Sequence, residues 1–316
     1  MSAIPVSKVL VLDNSAEHAP LIKGFCDQNS LVPLRVRDGS VMSVLRTNID
    51  LGGILYSDTY GDSPEETAEI AAQIHAARPE LPIIIRRNGA ATLDDLPEQA
   101  RRLYCAAYAA SDMSALRKVI DEYIFCLIYP NALLRGIGEI TEKVLTTQYK
   151  ELRIEMDTPY IVRDRVIFGE LLSLIQLESA WCRGYMMLQT EEAPFMKLLG
   201  RQVGMAVNFR EVNDLLSETT NLIWGAFKNR YVGDSRGVAT TQVQVPLLVN
   251  HKHKYISFGS QNPQLCFRFN LADEKGECQT QLYARFVFNL SWSPDDFREI
   301  PQDIAGLVDS GELELF

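Results

Sequence analysis

Between residues 214 and 225 the chain reads Asp214-Leu-Leu-Ser-Glu218-Thr-Thr-Asn221-Leu-Ile-Trp-Gly225. Two carboxylates, a carboxamide and a glycine follow one another at spacings of four, three and four residues. On a helix that spacing stacks them in one line. Leu215, Leu216, Leu222, Ile223, Ala226 and Phe227 take the other side. A carboxamide donates and accepts at once, so Asn221 can fix the orientation of one water molecule. Glu218 beside it can take a cation. Such a pair on a rigid element suits a site that positions a small reactant. Glu-x-x-Asn is also common on solvated helix faces, so the surrounding chain has to decide between the two.

The other chemistry-bearing residues are sparse. His251 and His253 alternate at strand spacing without a third ligand nearby, and they read as an exposed hairpin end. The six cysteines, Cys26, Cys105, Cys126, Cys182, Cys266 and Cys278, form no C-x-x-C pair and read as reduced, mostly buried apolar residues. Trp181, Trp224 and Trp292 read as core or interface. There is no Gly-x-Ser-x-Gly, P-loop or Gly-rich dinucleotide turn. No metal site and no cofactor of the chain's own are expected.

The 316 residues suffice for two domains; 47% are hydrophobic and 23% charged, a globular composition. No apolar run is long enough for a membrane span, and no signal peptide opens the chain, so a cytoplasmic protein is expected. Net charge is -10, spread evenly: 12 Lys+Arg face 17 Asp+Glu up to residue 128, and 19 face 24 beyond it. With no basic half, nucleic acid and anionic membrane surfaces are excluded as partners.

Up to residue 128 the elements alternate. Strands are expected at 8–12, 31–36, 53–57, 81–85 and 104–109, with helices near 16–28, 40–48, 64–78, 93–103 and 113–127. That pattern predicts a doubly wound parallel α/β sheet, whose functional edge is the carboxyl ends of its strands. Asp13, Asn14, Asp58, Arg87 and Ala109/Ala110 fall there. This stretch resembles the receiver domain of two-component response regulators, a flavodoxin-like fold. Asp13 and Asp58 stand where receivers carry an acidic residue and the phospho-accepting Asp. Arg87 replaces the usual hydroxyl residue, and Tyr108-Ala-Ala-Ser-Asp lacks the usual Lys and Pro. The resemblance implies a degenerate receiver in which Asp58 is poorly equipped as an acceptor, with Arg86 or Arg87 as the only substitute charge.

Tyr129-Pro130-Asn131 marks a boundary, giving domains 1–128 and 129–316, the second with a core at about 130–290 and a tail at 291–316. A helix at 132–149 is followed by alternating strands at 169–177 and 181–189 and a short helix at 196–200. After the central helix come strands at 242–249, 255–258, 266–270 and 279–290, and a small helix near 295–309. This half reads as α+β with a mainly antiparallel sheet. It resembles the CheX/CheC family of chemotaxis phosphatases on Asp214, Glu218, Asn221, Gly225 and a following Pro246, and the single Glu-x-x-Asn is nearer the CheX pattern.

The resemblance implies a phosphatase acting on the aspartyl phosphate of a receiver. Asn221 would orient water, Glu218 would pair with the partner's Lys, and Asp214 would support the pair or touch the partner's rim. Mg²⁺ would belong to the partner receiver. It also implies a homodimer paired through sheet edges, with 279–290 as a candidate edge. Two other readings stand beside it: a non-catalytic adaptor that binds receivers or dimerises, and a regulator whose own first domain is the substrate.

Overall fold

The computed structural model describes residues 4–36, 40–89, 91–232 and 247–300. The first unit runs β1 (Ser7–Leu12), α1 (Ala19–Gln28), β2 (Leu31–Arg35), α2 (Val41–Thr47), β3 (Leu51–Ser57), α3 (Pro64–Ala77), β4 (Ile83–Arg87), α4 (Glu98–Arg101), β5 (Ala106–Ala109) and α5 (Met113–Tyr123). Its strands form one parallel sheet in the order β2-β1-β3-β4-β5. Alternation along β1 explains why helices cover both faces. Val9 and Val11 pack with Ile22, Phe25, Leu116 and Ile120 of α1 and α5. Leu10 and Leu12 pack with Leu45, Ala71 and Ile74 of α2 and α3. This is the expected doubly wound, receiver-like architecture.

The helix expected near 93–103 shrinks to the single turn α4. Pro97, which cannot sit inside a helix, stands at its N-cap. Before it, Asp94 is engaged by Thr92 and Asp95 by Arg87, which holds that stretch as loop.

The second unit runs α6 (Asn131–Gln148), β6 (Arg153–Met156), β7 (Tyr160–Val162), β8 (Leu171–Glu178), β9 (Cys182–Thr190), α7 (Glu192–Val203), α8 (Phe209–Phe227), β10 (Leu248–Asn250), β11 (Tyr255–Ser257), β12 (Gln264–Ala272) and β13 (Gln279–Trp292). The main sheet is antiparallel, in the order β6-β12-β13-β9-β8, with β7 also paired to β12. Phe267, Phe269, Leu282, Ala284 and Phe286 point from one face into a core shared with α6, α7 and α8. The α+β reading therefore holds, with β6 and β7 in addition.

Two expectations change. The strand expected at 279–290 is not an edge: β13 lies between β12 and β9 and is hydrogen-bonded on both sides. The short helix expected at 196–200 is the longer α7, stopped by Gly204 at φ +70°. His251 and His253 lie at an exposed hairpin end as expected, in a 3₁₀ turn between β10 and β11 capped by the Asn250 side chain. Pro246 and most of the strand expected at 242–249 fall outside the described residues, as does the greater part of the helix expected near 295–309. The described part of that last stretch is a 3₁₀ turn over Pro294–Asp296. Among the described residues no helix is long and apolar enough to cross a membrane.

The two units dock through strand ends. Val6 bridges Tyr160 in parallel, with Val6 N–H donating to Pro159 O at 3.1 Å and Ile161 N–H to Val6 O at 2.8 Å. Ser7 Oγ donates to Ile161 O at 2.9 Å, and Arg163 N–H donates to Leu51 O at 3.1 Å. A Cβ on Gly52 would collide with Ser7 Oγ, so the close approach requires glycine there. Arg78 and Asp164, both buried, pair across the interface. Tyr255 Oη donates to Glu80 at 2.6 Å. All these contacts sit at the amino ends of β1 and β3 or the turn before β4, and on the outer face of the antiparallel sheet, where Val6 joins Tyr160, Val162, Cys266 and Tyr283.

Candidate functional site

The helix α8 begins earlier than the 214–225 motif. Asn208 caps it, its side chain accepting from Arg210 N–H at 2.9 Å and Glu211 N–H at 3.2 Å. The Glu211 carboxylate accepts from Asn208 N–H at 2.8 Å. This capping box satisfies donors that the first turn otherwise leaves unpaired. Val212, Leu216, Thr219, Thr220, Ile223 and Phe227 are buried against α6, β8 and the sheet.

The opposite side of α8 carries the motif. Asp214, Ser217, Glu218 and Asn221 are exposed, and a Cβ on Gly225 would meet nothing within 4 Å. No hydrogen bond within the described residues engages the side chains of Asp214, Glu218 or Asn221. The arrangement is an exposed ridge of unspent polar groups, with open space beside Gly225 at its end. Two concavities among the described residues lie elsewhere: one is bounded by Arg153, Phe168 and Asn270, the other by Met196, Arg201 and Met205 at the α7–α8 turn. Beneath the ridge, the Tyr149 and Thr219 hydroxyls meet at 2.9 Å, and those of Thr220 and Ser173 at 2.7 Å.

At the carboxyl edge of the first unit, Arg86 dominates. Its guanidinium is 1% exposed and grips Asp13 with Nε at 2.6 Å and Nη2 at 3.2 Å. Nη2 also donates to Ser57 Oγ at 2.7 Å, and Nη1 to Asn88 Oδ1 at 2.5 Å. Burial acts to lower the Arg86 pKa, but hydrogen bonding to and charge on Asp13 outweigh it and hold it above its ordinary value. Asp58 accepts from Asn88 N–H at 3.0 Å through one oxygen; the other is buried without a hydrogen bond among the described residues. Arg87 turns to Asp95, with Nη1 at 2.5 Å and Nη2 at 2.9 Å. Strand parity decides this division: the two arginines are consecutive on β4 and project to opposite faces, Arg86 being paired in register with Ser57 and Tyr108 and Arg87 with Ala109.

The sequence places Arg87 at the hydroxyl position and leaves the substitute charge open between the two arginines. The structure assigns it to Arg86. The only signal in the sequence is the doubled Arg at a strand end, and choosing between the pair requires the register. The capping box is the other feature missed, although Asn208 and Glu211 stand at cap spacing.

The candidate residues thus form two separate groups. Asp214, Glu218 and Asn221 lie together on α8; Asp13 and Asp58 lie together at the far end of the first unit. The second unit docks at the amino ends of β1 and β3, whereas Asp13 and Asp58 follow their carboxyl ends. A strand the length of β3 spans roughly 20 Å at ~3.3 Å per residue. The helix α8 packs on the other face of the antiparallel sheet from the docked unit.

Residues 171–270 match the family model described as chemotaxis phosphatase CheX. That stretch runs from β8 into β12 and includes all of α8. Comparison with curated proteins gives no match. Among solved structures, the chain is similar to a response regulator from Thermotoga maritima at 14% identity, over 38% of this chain and 98% of that one, TM-score 0.32. It is similar to a chemotactic CheC-like protein from Shewanella oneidensis at 17% identity, over 48% and 95%, TM-score 0.32. A CheX–CheY–BeF3–Mg²⁺ complex from Borrelia burgdorferi matches at 9% identity, over 48% and 97%, TM-score 0.25. The fold defines a parallel, receiver-like unit joined to an α+β unit with an exposed polar helix. The second of these is a CheX-like domain, with the motif helix inside the matched stretch.

Proposed function

We propose that α8 removes the phosphoryl group from the aspartyl phosphate of a receiver domain on another protein. The observation that carries this reading is the exposed ridge of Asp214, Glu218 and Asn221, lying within the stretch that matches the chemotaxis phosphatase family. Small-molecule sites are concave. An exposed helix carrying Glu218 and Asn221 with unspent hydrogen-bonding groups can reach a phosphate only by entering the cleft of a macromolecular partner.

The chemistry asks little of such a helix. An acyl phosphate is already activated, so positioning and charge neutralisation are sufficient. The Asn221 carboxamide would hold a water in line with the phosphorus. The water oxygen forms the new bond, the bond from phosphorus to the aspartyl oxygen breaks, and the carboxylate leaves with its electron pair. The water's proton passes to the released phosphate or to solvent. Glu218 would pair with the lysine of the partner receiver, and Asp214, one turn earlier, would meet its rim. Mg²⁺ would be held by the partner, with no metal on this chain.

The substrate is not the chain's own first unit. Its Asp58 edge faces away from α8, and Arg86, the buried cation at that edge, is spent on Asp13. The test is a phosphate-release assay. Full-length protein should accelerate loss of phosphate from at least one receiver phosphorylated with acetyl phosphate and Mg²⁺, and should itself take up no label at Asp58. Stoichiometric labelling abolished by Asp58→Asn would show that the first unit works as a receiver.

A further inference from the structure

Buried beneath the ridge is a pair of hydroxyl contacts that the reaction itself does not use. Thr219 and Thr220, between Glu218 and Asn221, are 0% and 2% exposed. Thr219 Oγ1 donates to Leu215 O at 2.8 Å, so it accepts from the Tyr149 hydroxyl at the end of α6. Thr220 Oγ1 contacts Leu216 O at 2.8 Å and Ser173 Oγ on β8 at 2.7 Å. Adjacent helix residues stand about 100° apart around the axis. One clamp therefore reaches sideways to α6 and the other to β8, at the level of the functional pair.

We propose that Tyr149 and Ser173 are positioning residues that set the rotation of α8, and with it the direction in which Glu218 and Asn221 project. The apolar contacts of Leu216, Ile223 and Phe227 hold the helix down but are non-directional. Hydrogen bonds are directional, and two of them far apart around the axis resist rotation in either sense. Side-chain ends lie about 5–6 Å from a helix axis, so a turn of about 10° moves them by about 1 Å. A displacement of about 1 Å can cost about a hundredfold in rate. Tyr149 is fully buried, and burial pushes its hydroxyl up to about 12; Thr219 pulls the other way, and the nearby Glu218 carboxylate adds to the rise. It therefore remains a donor across the working pH range.

This inference rests on the phosphatase reading for its consequence, but not for its geometry, so the experiment reads both. Full-length wild type and the double variant Tyr149→Phe/Thr220→Val, which keeps volume and the apolar packing, are compared in two measurements. In amide hydrogen exchange, residues 216–223 should exchange about tenfold faster in the variant, with the sheet and α6 unchanged. In the phosphate-release assay, kcat should fall about tenfold or more with KM changed less than about threefold. Unchanged exchange in α8 would overturn the proposal, as would full kcat in the variant of an active wild type. Faster α8 exchange with a wild type that releases no phosphate from any receiver would leave the clamp standing and remove the phosphatase reading instead.

Discussion

Arg86 and Arg87 are neighbours in sequence with opposite surroundings, and their substitution should separate them. Arg86→Ala would leave Asp13 buried and unpaired at 2% side-chain exposure. Removing one partner of a buried pair costs about 3–5 kcal/mol. Arg87 pairs with an Asp95 that is 57% exposed, so Arg87→Ala should cost less than about 1 kcal/mol. Urea unfolding followed by circular dichroism checks both, and equal losses would show that Arg86 is not the structural counter-ion. At this scale the sequence was readable for residue type and spacing. Asp214, Glu218 and Asn221 could be placed on one face because helical periodicity is local. The partner of Asp13 could not be named, because it depends on which of two arginines faces which side of β4, and that is fixed by long-range register.

At the scale of elements, local signals served where the element itself was local. The strands of the first unit, their parallel order and the apolar face of α8 follow from periodicity and alternation. The failures have physical reasons. The 93–103 stretch has apolar residues at helical spacing, but Pro97 and side-chain contacts of Thr92 and Arg87 stop the helix from extending backwards. The central place of β13 was hidden because the side-chain pattern along one strand does not say which strands flank it. The capping box at the start of α8 gives an element-level prediction. Asn208→Ala should lower stability by about 1 kcal/mol, the usual loss for such a cap. A thermal unfolding curve superimposable on wild type would show that the first turn of α8 contributes nothing.

At the scale of the molecule, the two units form a continuous body. Backbone hydrogen bonds, a β-bridge and the buried Arg78–Asp164 pair join them. Asp164→Ala should therefore destabilise by about 3–5 kcal/mol, since Arg78 would stay buried without its counter-charge. Two separate transitions in wild-type calorimetry would contradict a single cooperative body. None of this docking was legible in the sequence, because it uses ordinary strand-end residues such as Val6, Ser7 and Tyr160. Assembly is a further expectation. With β13 internal, β8 (Leu171–Glu178) is the longer edge of the main sheet among the described residues. We expect a homodimer across β8 in the full-length protein, and a monomer in sedimentation at tens of micromolar would argue against it.

The central claim is that Asn221 orients the attacking water. Its most direct test is Asn221→Ala in full-length protein, measured for binding to a beryllofluoride-activated receiver and for single-turnover phosphate release. The apolar face of α8 is untouched by this change, so affinity should stay within about threefold. Release should slow by two to three decades, or about 3–4 kcal/mol, the scale seen when one preorganised hydrogen-bond donor is removed. Glu218→Ala, by contrast, should lose affinity as well as rate. If Asn221→Ala keeps the wild-type rate of release, or loses affinity in step with Glu218→Ala while the wild type speeds no release at all, the water-orienting role is wrong and α8 is a binding surface.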